Sequence, residues 1–110
     1  LYGADHYATV QADYNVAMSD LNSGNVEVAR PGWTRYLDWY RKRDGSGTRA
    51  FAGKLAEVGG QLLRRQHYAD AEPLLRECSE ILTRLGPSDW TAFNAQSQHG
   101  ECLTGLKEYK

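Results

Sequence analysis

Histidine and cysteine are the side chains of this sequence best suited to metal binding or nucleophilic chemistry, and they are few. The sequence holds His6, His67, His99, Cys78 and Cys102. His99 and Cys102 are three residues apart, so on a helix they share a face that Cys78 could join, and imidazole with thiolates is a zinc ligand set. Neither HExxH nor CxxC spacing accompanies them. The sequence therefore predicts packed, reduced cysteines, with a disulfide or a metal site as the alternatives, and turn or capping roles for His6 and His67.

Sequence signatures of catalysis are equally sparse. No GxSxG segment places a serine on a strained turn, and no glycine-rich phosphate loop follows a strand pattern. Gly59 and Gly60 lie within a helical pattern, where close packing of helices is the simpler reason for them. We therefore expect no enzymatic activity, no cofactor and no resident metal.

The charge balance does not select a nucleic acid or a membrane as partner. Thirteen basic and fourteen acidic residues give a net charge of -1. The basic runs at 41–43 and 64–65 fall near predicted helix ends, where cations complement the helix dipole, and phosphate or acidic-peptide binding is the alternative. No apolar run approaches the ~20 residues of a membrane span, and the first ten residues do not resemble a signal peptide. A cytoplasmic location is the default expectation, and the missing initiator Met suggests a fragment of a longer protein.

A repeat of 41 to 42 residues organises the sequence. Three sets of residues recur at this period, and we call each set a column: Gly3, Gly45 and Gly86; Ala17, Gly59 and Gly100; and Val26, Tyr68 and Tyr109. Three further pairs lie 42 residues apart: Ala29 and Ala71, Trp33 and Leu75, and Pro31 and Pro73. Each period contains two amphipathic segments, so the unit is a helix hairpin in which small side chains such as Ala17, Gly59 and Gly100 let two antiparallel helices approach closely.

The predicted fold is all-α, with about five helices in one domain. Their predicted ranges are about 7–23, 26–43, 48–65, 68–84 and 90–106. "RDGSG" and "LGPSD" supply the turn residues between hairpins. Pro31 and Pro73 fall in the second turn of the second and fourth helices, where a proline removes only about one backbone bond. The repeats span about 3–44, 45–85 and 86–110, the third being truncated.

Aromatic side chains crowd the second predicted helix. Trp33 and Tyr36 fit the core or the packing between repeats, whereas Trp39 and Tyr40 are expected to be partly exposed and available to a partner.

These columns resemble the tetratricopeptide repeat (TPR). The matching residues are Leu55, Val58, Gly59 and Leu62, followed by Ala71 and Leu75. The longer period and the segment "GADHYAT" followed by "YNVA" resemble the roughly 42-residue subtype of kinesin light chains, whose linker reads Gly-Pro-Asp-His-Pro-x-Thr. "YADAEPLLRECSEI" with "LGPSDWTAFN" resembles repeats appended to bacterial, planctomycete-type serine/threonine kinases. The kinase motifs themselves are absent. Asp13, Asp20, Gln96 and His99 depart from the family pattern, because they stand where it has apolar packing residues.

The resemblance implies an α-solenoid whose first, third and fifth helices line a concave groove that binds a peptide or partner protein. Carried over by register, the groove residues are Gln11, Tyr14, Asn15, Met18, Asn22, Ala56, Gly60, Leu63, Arg64, Asn94, Ser97, Glu101 and Thr104. The expected function is a protein-interaction module, such as a regulatory segment of a signalling kinase. The alternative is a structural spacer, or a segment that self-associates through the truncated third repeat.

Overall fold

The chain folds as helices joined by short turns. The computed structural model describes the backbone of residues 4–108 and the side chains of residues 8–107, and it contains no β-strand within these ranges. The helices are α1 (Ala4–Asn22), α2 (Val26–Asp44), α3 (Arg49–Arg64), α4 (Tyr68–Leu85) and α5 (Trp90–Glu108). The predicted all-α class with five helices is therefore confirmed. Predicted and observed helix ends differ most at the start of α1.

The turns that end α1 and α3 have the same hydrogen-bond pattern, 42 residues apart. Gly24 and Gln66 occupy corresponding positions, and both have a positive φ, 86° and 64°. Two backbone hydrogen bonds close each turn. After α1, the Gly24 amide donates to Leu21 O (3.0 Å) and the Asn25 amide donates to Asp20 O (2.8 Å). After α3, the Gln66 amide donates to Leu63 O (3.0 Å) and the His67 amide donates to Leu62 O (2.9 Å). This is the Schellman motif, which requires a left-handed residue after the helix. The sequence period is therefore present in the backbone of both turns.

The turns before α3 and α5 also correspond, at a spacing of 41 residues. The amide of each N-cap residue, Thr48 or Asp89, donates to the carbonyl oxygen of the glycine three residues earlier (3.4 and 3.0 Å). Thr48 Oγ1 accepts a hydrogen bond from the Phe51 amide (3.2 Å), and Asp89 Oδ1 accepts one from the Thr91 amide (3.2 Å). These side chains satisfy amides that have no partner inside their helix.

Both prolines lie where the helix tolerates them. Pro31 and Pro73 are the sixth residues of α2 and α4, and both are exposed. The first four amides of a helix have no intrahelical acceptor, so each proline removes only one of the early bonds.

The chain divides into two compact units, one ending at Arg43 and the other beginning at Asp44. The first unit holds α1 and nearly all of α2, and the second holds α3, α4 and α5. The boundary lies within about one residue of the predicted junction between the first and second repeats.

In the first unit, α1 and α2 pack through small and aromatic residues. A Cβ atom placed on Gly32 would lie 2.8 Å from Ala17 Cβ, so the two backbones are close at this point. Tyr14 stacks on Tyr36, with ring centroids 4.1 Å apart. Trp33 and Tyr36 are buried as predicted.

In the second unit, α4 packs against both α3 and α5. On one side, Gly59 of α3 faces Leu75, and the Cys78 thiol donates to the Ala52 carbonyl oxygen (3.3 Å). Because Gly59 meets Leu75 and the earlier Ala52 meets the later Cys78, α3 and α4 run antiparallel. On the other side, the Cys102 thiol donates to the Tyr68 carbonyl oxygen (3.2 Å).

Several expectations are corrected by the structure. His6 lies inside α1 and not in a linker. Positions 4 and 7 are Ala4 and Tyr7 instead of the two prolines of the linker that this segment was compared with, so no proline stops the helix from starting earlier. Tyr40 is buried because its ring meets the edge of Tyr36, with centroids 5.0 Å apart.

The repeat prediction also included Gly100, Gly3 and Tyr109. A Cβ atom on Gly100 would meet nothing within 4 Å, so the expected close helix approach at this glycine is missing among the described residues. Gly3 and Tyr109, members of two repeat columns, lie outside the described residues.

Candidate binding cleft between α3 and α5

An open cleft of about 280 Å³ lies in the second unit, with α3 and α5 on its sides and α4 beneath. Its lining residues are Arg49, Ala52, Gly53 and Ala56 from α3, Cys78 and Leu82 from α4, and Trp90, Thr91, Asn94, Ala95 and Gln98 from α5. The base is formed by buried apolar residues, whereas the amide and cationic side chains belong to α3 and α5.

Small residues on α3 create the space for this cleft. Ala52, Gly53 and Ala56 present no side chain longer than a methyl group, and a Cβ atom on Gly53 would meet nothing within 4 Å. On the opposite wall, Ala95 of α5 is also small and buried. A larger residue at any of these positions would fill the cleft.

Arg49 is held at the rim by two residues at the start of α5. Its Nη1 donates to Asp89 Oδ2 and to Thr91 Oγ1, both at 3.3 Å. The pKa of Asp89 is lowered, first by the hydrogen bond from the Thr91 amide and in smaller part by Arg49. The carboxylate therefore stays ionised and fixes the Arg49 guanidinium at the edge of the cleft while part of that group remains exposed.

Trp90 is the most exposed large apolar side chain among those described, at 71%. It is the first residue of α5 and lines the cleft together with Asn94, one helical turn later. An exposed indole ring beside an exposed primary amide offers an apolar surface and hydrogen-bonding groups at neighbouring positions. This combination suits recognition of a polypeptide more than of a purely apolar ligand.

Few side chains of the cleft lining are titratable. Its titratable side chains are Arg49 and Cys78, and burial raises the pKa of the Cys78 thiol to about 11. The thiol is therefore protonated at neutral pH, and a protonated thiol is a poor nucleophile and a poor metal ligand.

The residues weighed for metal binding are separated by the fold. His99 Nε2 lies 2.8 Å from Glu72 Oε2 of α4, while Cys78 and Cys102 donate to different carbonyl oxygens. Within the described part of the chain, no group of three or more His, Cys, Asp or Glu side chains is arranged to hold a metal ion. Both cysteines are free and buried.

The structure places two of the thirteen predicted groove residues, Ala56 and Asn94, in this cleft. Further along α3, Gly60 is half-buried, Leu63 buried and Arg64 exposed. Further along α5, the exposed residues are Ser97, Glu101 and Thr104.

The predicted groove residues of α1 belong to the first unit and are described within it. Asn15 and Asn22 are exposed, and Gln11 and Met18 are half-buried. Tyr14 is buried by its stacking on Tyr36 and serves the core of this unit. Trp39 of α2 is half-buried, with the Arg43 guanidinium 5.2 Å from its ring centroid.

The sequence-based prediction of groove residues missed the cleft residues near the N-termini of α3 and α5. Arg49, Gly53 and Trp90 lie one or two turns before the predicted residues on the same helices. Counting back from Ala56 by three and then four residues gives Gly53 and Arg49, and counting back from Asn94 by four gives Trp90. Extending the helical register toward the helix starts is therefore the signal that identifies them.

Comparisons of this chain with protein-family models, with curated proteins and with solved structures find no match. Among the helices of the described residues, none combines the length and the apolar character needed to cross a bilayer. The class that the fold and the site define is an all-helical protein with a repeated turn pattern and an open cleft between two helices of one unit.

Proposed function

We propose that this chain is a TPR-like protein-interaction module whose α3–α5 cleft binds an extended peptide segment of a partner protein. The observation that carries the proposal is Trp90, which is 71% exposed at the mouth of a cleft with an apolar base. Exposed aromatic residues beside a pocket are enriched among the residues that dominate binding energy in protein interfaces.

The cleft is large enough for one peptide side chain. Its volume of about 280 Å³ is at the lower end of the ~300 to 1,000 Å³ that is usual for ligand sites. The cleft is also open to solvent, so a chain lying across it would place one apolar side chain against Leu82 and Trp90. The rest of that chain would run over the exposed surfaces of α3 and α5.

The polar lining residues suit the backbone of such a peptide. Asn94 and Gln98 each carry two N–H donors and a carbonyl acceptor, which match the alternating groups of an extended main chain. Arg49 adds a cation whose position is fixed by Asp89. A peptide that also carries a carboxylate near its anchoring side chain would therefore bind better than a basic one.

The TPR-like class is supported by the sequence columns and by the two Schellman turns 42 residues apart. A regular repeat of helix hairpins would align its odd-numbered helices along one face, which is where such modules present a binding groove. This proposal extends to the predicted groove residues beyond the cleft, from Gly60 to Arg64 and from Ser97 to Thr104.

Peptide selection followed by affinity measurement tests the proposal. Linear peptides would be selected from a random phage-displayed library on the full chain, then synthesised with a fluorescent label and titrated by fluorescence polarisation. Trp90→Ala should weaken binding of the selected peptides by about tenfold or more. Asn94→Asp, which removes the amide donors while keeping the shape, should weaken it several-fold.

Phe93→Ala is the matched control, since Phe93 is an exposed aromatic residue of the same helix that does not line the cleft. It should leave peptide affinity unchanged at micromolar protein concentration. Peptides whose binding depends on Phe93 and not on Trp90, or a failure to select any peptide, would contradict the proposal.

A further inference from the structure

A second surface of α5 has the spacing of a helix-packing face, and its residues are exposed, although Gln96 at its edge donates to Thr83 Oγ1 of α4 (2.8 Å). It consists of Phe93, Gln96, Gly100, Leu103 and Lys107, spaced alternately by three and four residues, and we call it the α5 outer face. Phe93 and Leu103 are 66% and 46% exposed. Ala92, Ala95 and Cys102 lie on a different side of α5, which is buried. Three-four spacing is the pattern of a seam between two packed helices.

The corresponding positions of α3 show what such a face does when it is covered. Residues 41 positions earlier in the repeat are Ala52, Leu55, Gly59 and Leu62, and all four are buried. A Cβ atom on Gly59 would lie 2.7 Å from Leu75 Cδ2 of the antiparallel helix α4. Ala17 of α1 occupies the same column and faces Gly32 of α2. An antiparallel helix therefore covers this position in both of the earlier repeats.

Gly100 is the third member of that column, and a Cβ atom placed on it would meet nothing within 4 Å in the described part of the chain. A glycine inside an exposed helix costs about 1 kcal/mol relative to alanine. Gly59, the glycine at the corresponding position of α3, offsets that cost through close contact with Leu75 of α4. Gly100 gives the same opportunity to a helix that is not part of this unit.

We propose that the α5 outer face is a dimerisation surface on which α5 of a second copy packs in antiparallel orientation. The face is self-complementary in that orientation. With a two-fold axis near Gln98, Phe93 meets Leu103 of the second copy, and Gln96 meets Gly100 of the second copy. The larger side chain of each pair then faces a smaller one, as close helix packing requires.

The charges on this face favour the same orientation. Lys107 is its one charged member, and it lies at the C-terminal end of α5. In a parallel pair the two ammonium groups would stand side by side and repel each other. In the antiparallel pair the two ammonium groups lie at opposite ends of the interface, so this repulsion is absent.

The area of the face implies a weak dimer. From Phe93 to Lys107 the helix extends by about 21 Å, at about 1.5 Å for each residue. A single pair of helices of this length buries less surface than the ~800 Å² on each partner that is usual in stable complexes. The dissociation constant should therefore lie in the range of about 10 μM to 1 mM.

Sedimentation velocity of the full chain under reducing conditions, from about 10 μM to about 1 mM, measures this equilibrium. The wild-type chain should shift from monomer toward dimer across the series. Phe93→Glu and Leu103→Lys should each remain monomeric at every concentration, with unchanged helix content by circular dichroism. Val28→Glu is the matched control, because Val28 is also 66% exposed but lies on α2, and it should dimerise like the wild type.

Mixing the two monomeric variants tests the orientation. In the antiparallel pair, Glu at 93 of one copy meets Lys at 103 of the other, and the remaining site keeps its Phe93 and Leu103. A mixture of Phe93→Glu and Leu103→Lys should therefore form a heterodimer, whereas in a parallel pair it would not.

Three results would overturn the proposal: a wild-type chain that stays monomeric throughout, a dimer that persists in both charged variants, or a mixture that does not associate. A synthetic peptide with the sequence of residues 68–85 serves as a further probe. If it bound the Gly100 side of a monomeric chain, the face would belong to a separate helix of the α4 type instead.

Discussion

Gly59 of α3 lies directly against the buried Leu75 side chain of α4, and a Cβ atom placed on Gly59 would be 2.7 Å from Leu75 Cδ2. Alanine at position 59 would improve helix propensity by about 1 kcal/mol, but it would force Leu75 to move within a packed core at a cost of about 1 to 3 kcal/mol. We therefore expect Gly59→Ala to lower the free energy of unfolding by about 1 kcal/mol, measured by urea denaturation.

The adjacent Gly60 provides the control for that experiment. A Cβ atom on Gly60 would meet nothing within 4 Å, so Gly60→Ala should raise the free energy of unfolding by up to about 1 kcal/mol. Opposite effects of one substitution at two neighbouring positions are the signature of close helix packing. Equal effects at both positions would show that Gly59 is not needed for the approach of α4.

Gln66 adopts a backbone conformation that its side chain disfavours. Its φ of 64° corresponds to that of Gly24, the residue at the same position of the other Schellman turn. Replacing Gln66 with glycine relieves the steric cost of the left-handed conformation but increases the entropy of the unfolded chain. The net expectation for Gln66→Gly is a stability gain of about 0.5 to 1 kcal/mol in urea denaturation.

Gln66→Ala separates the effect of backbone strain from the loss of the glutamine side chain. Alanine retains a Cβ atom and therefore the strain, so Gln66→Ala should be no more stable than the wild type. If the alanine and glycine variants were equally stable, the φ at position 66 would not be a source of strain.

The helices and turns of this fold are predictable from the sequence because their signals are local. The apolar spacing of α3 and α4 and the turn residues around Gly45 and Gly86 each involve residues close in sequence, and the 42-residue register repeats these local patterns. The register even indicates that position 66 should resemble Gly24, although nothing in the side chain of Gln66 suggests a positive φ.

The cleft is less predictable because its shape depends on contacts between helices. A helical register assigns residues to faces, but it does not show that Tyr14 stacks on Tyr36 or that Trp90 projects beside the base formed by Ala52 and Cys78. The position of a face relative to neighbouring helices is set by tertiary packing, which periodicity alone does not specify.

His99 and Glu72 form a half-buried pair that joins α5 to α4, with 2.8 Å between His99 Nε2 and Glu72 Oε2. A double-mutant cycle with His99→Ala and Glu72→Ala should give a coupling energy of about 1 kcal/mol, because the pair is shielded from water. The cycle is needed because Glu72 also lies 3.6 Å from Arg76, so the single Glu72→Ala variant loses two interactions.

The ion pair between Arg35 and Asp13 is a suitable comparison, since it spans 3.0 Å but Arg35 is exposed. Solvent screening should limit its coupling energy to about 0.5 kcal/mol or less. A coupling energy for the His99 pair no larger than for this exposed pair would argue against its role in fixing α5.

The Cys78 thiol makes stability depend on alkaline pH. Burial raises its pKa in the folded chain to about 11, whereas an exposed thiol has a pKa of about 8.5. Between these values the unfolded chain has released the thiol proton and the folded chain still holds it, so the unfolded state binds fewer protons and stability falls as pH rises. Below about pH 8 both states hold the proton and this contribution is fully present.

Comparing the wild-type chain with Cys78→Ala separates the contribution of Cys78 from other effects of alkaline pH, because those effects are common to both chains. The difference in unfolding free energy between the two should shrink by about 2 kcal/mol when urea denaturation is measured at about pH 10.5 instead of about pH 7.5. Iodoacetamide should also label Cys78 slowly in the native chain and rapidly in urea at about pH 8, because the thiolate is the reactive form. The prediction would be contradicted if the difference in unfolding free energy between the two chains did not change with pH and iodoacetamide labelled Cys78 rapidly in the native chain. The Cys78 thiol would then be accessible to water and have an ordinary pKa.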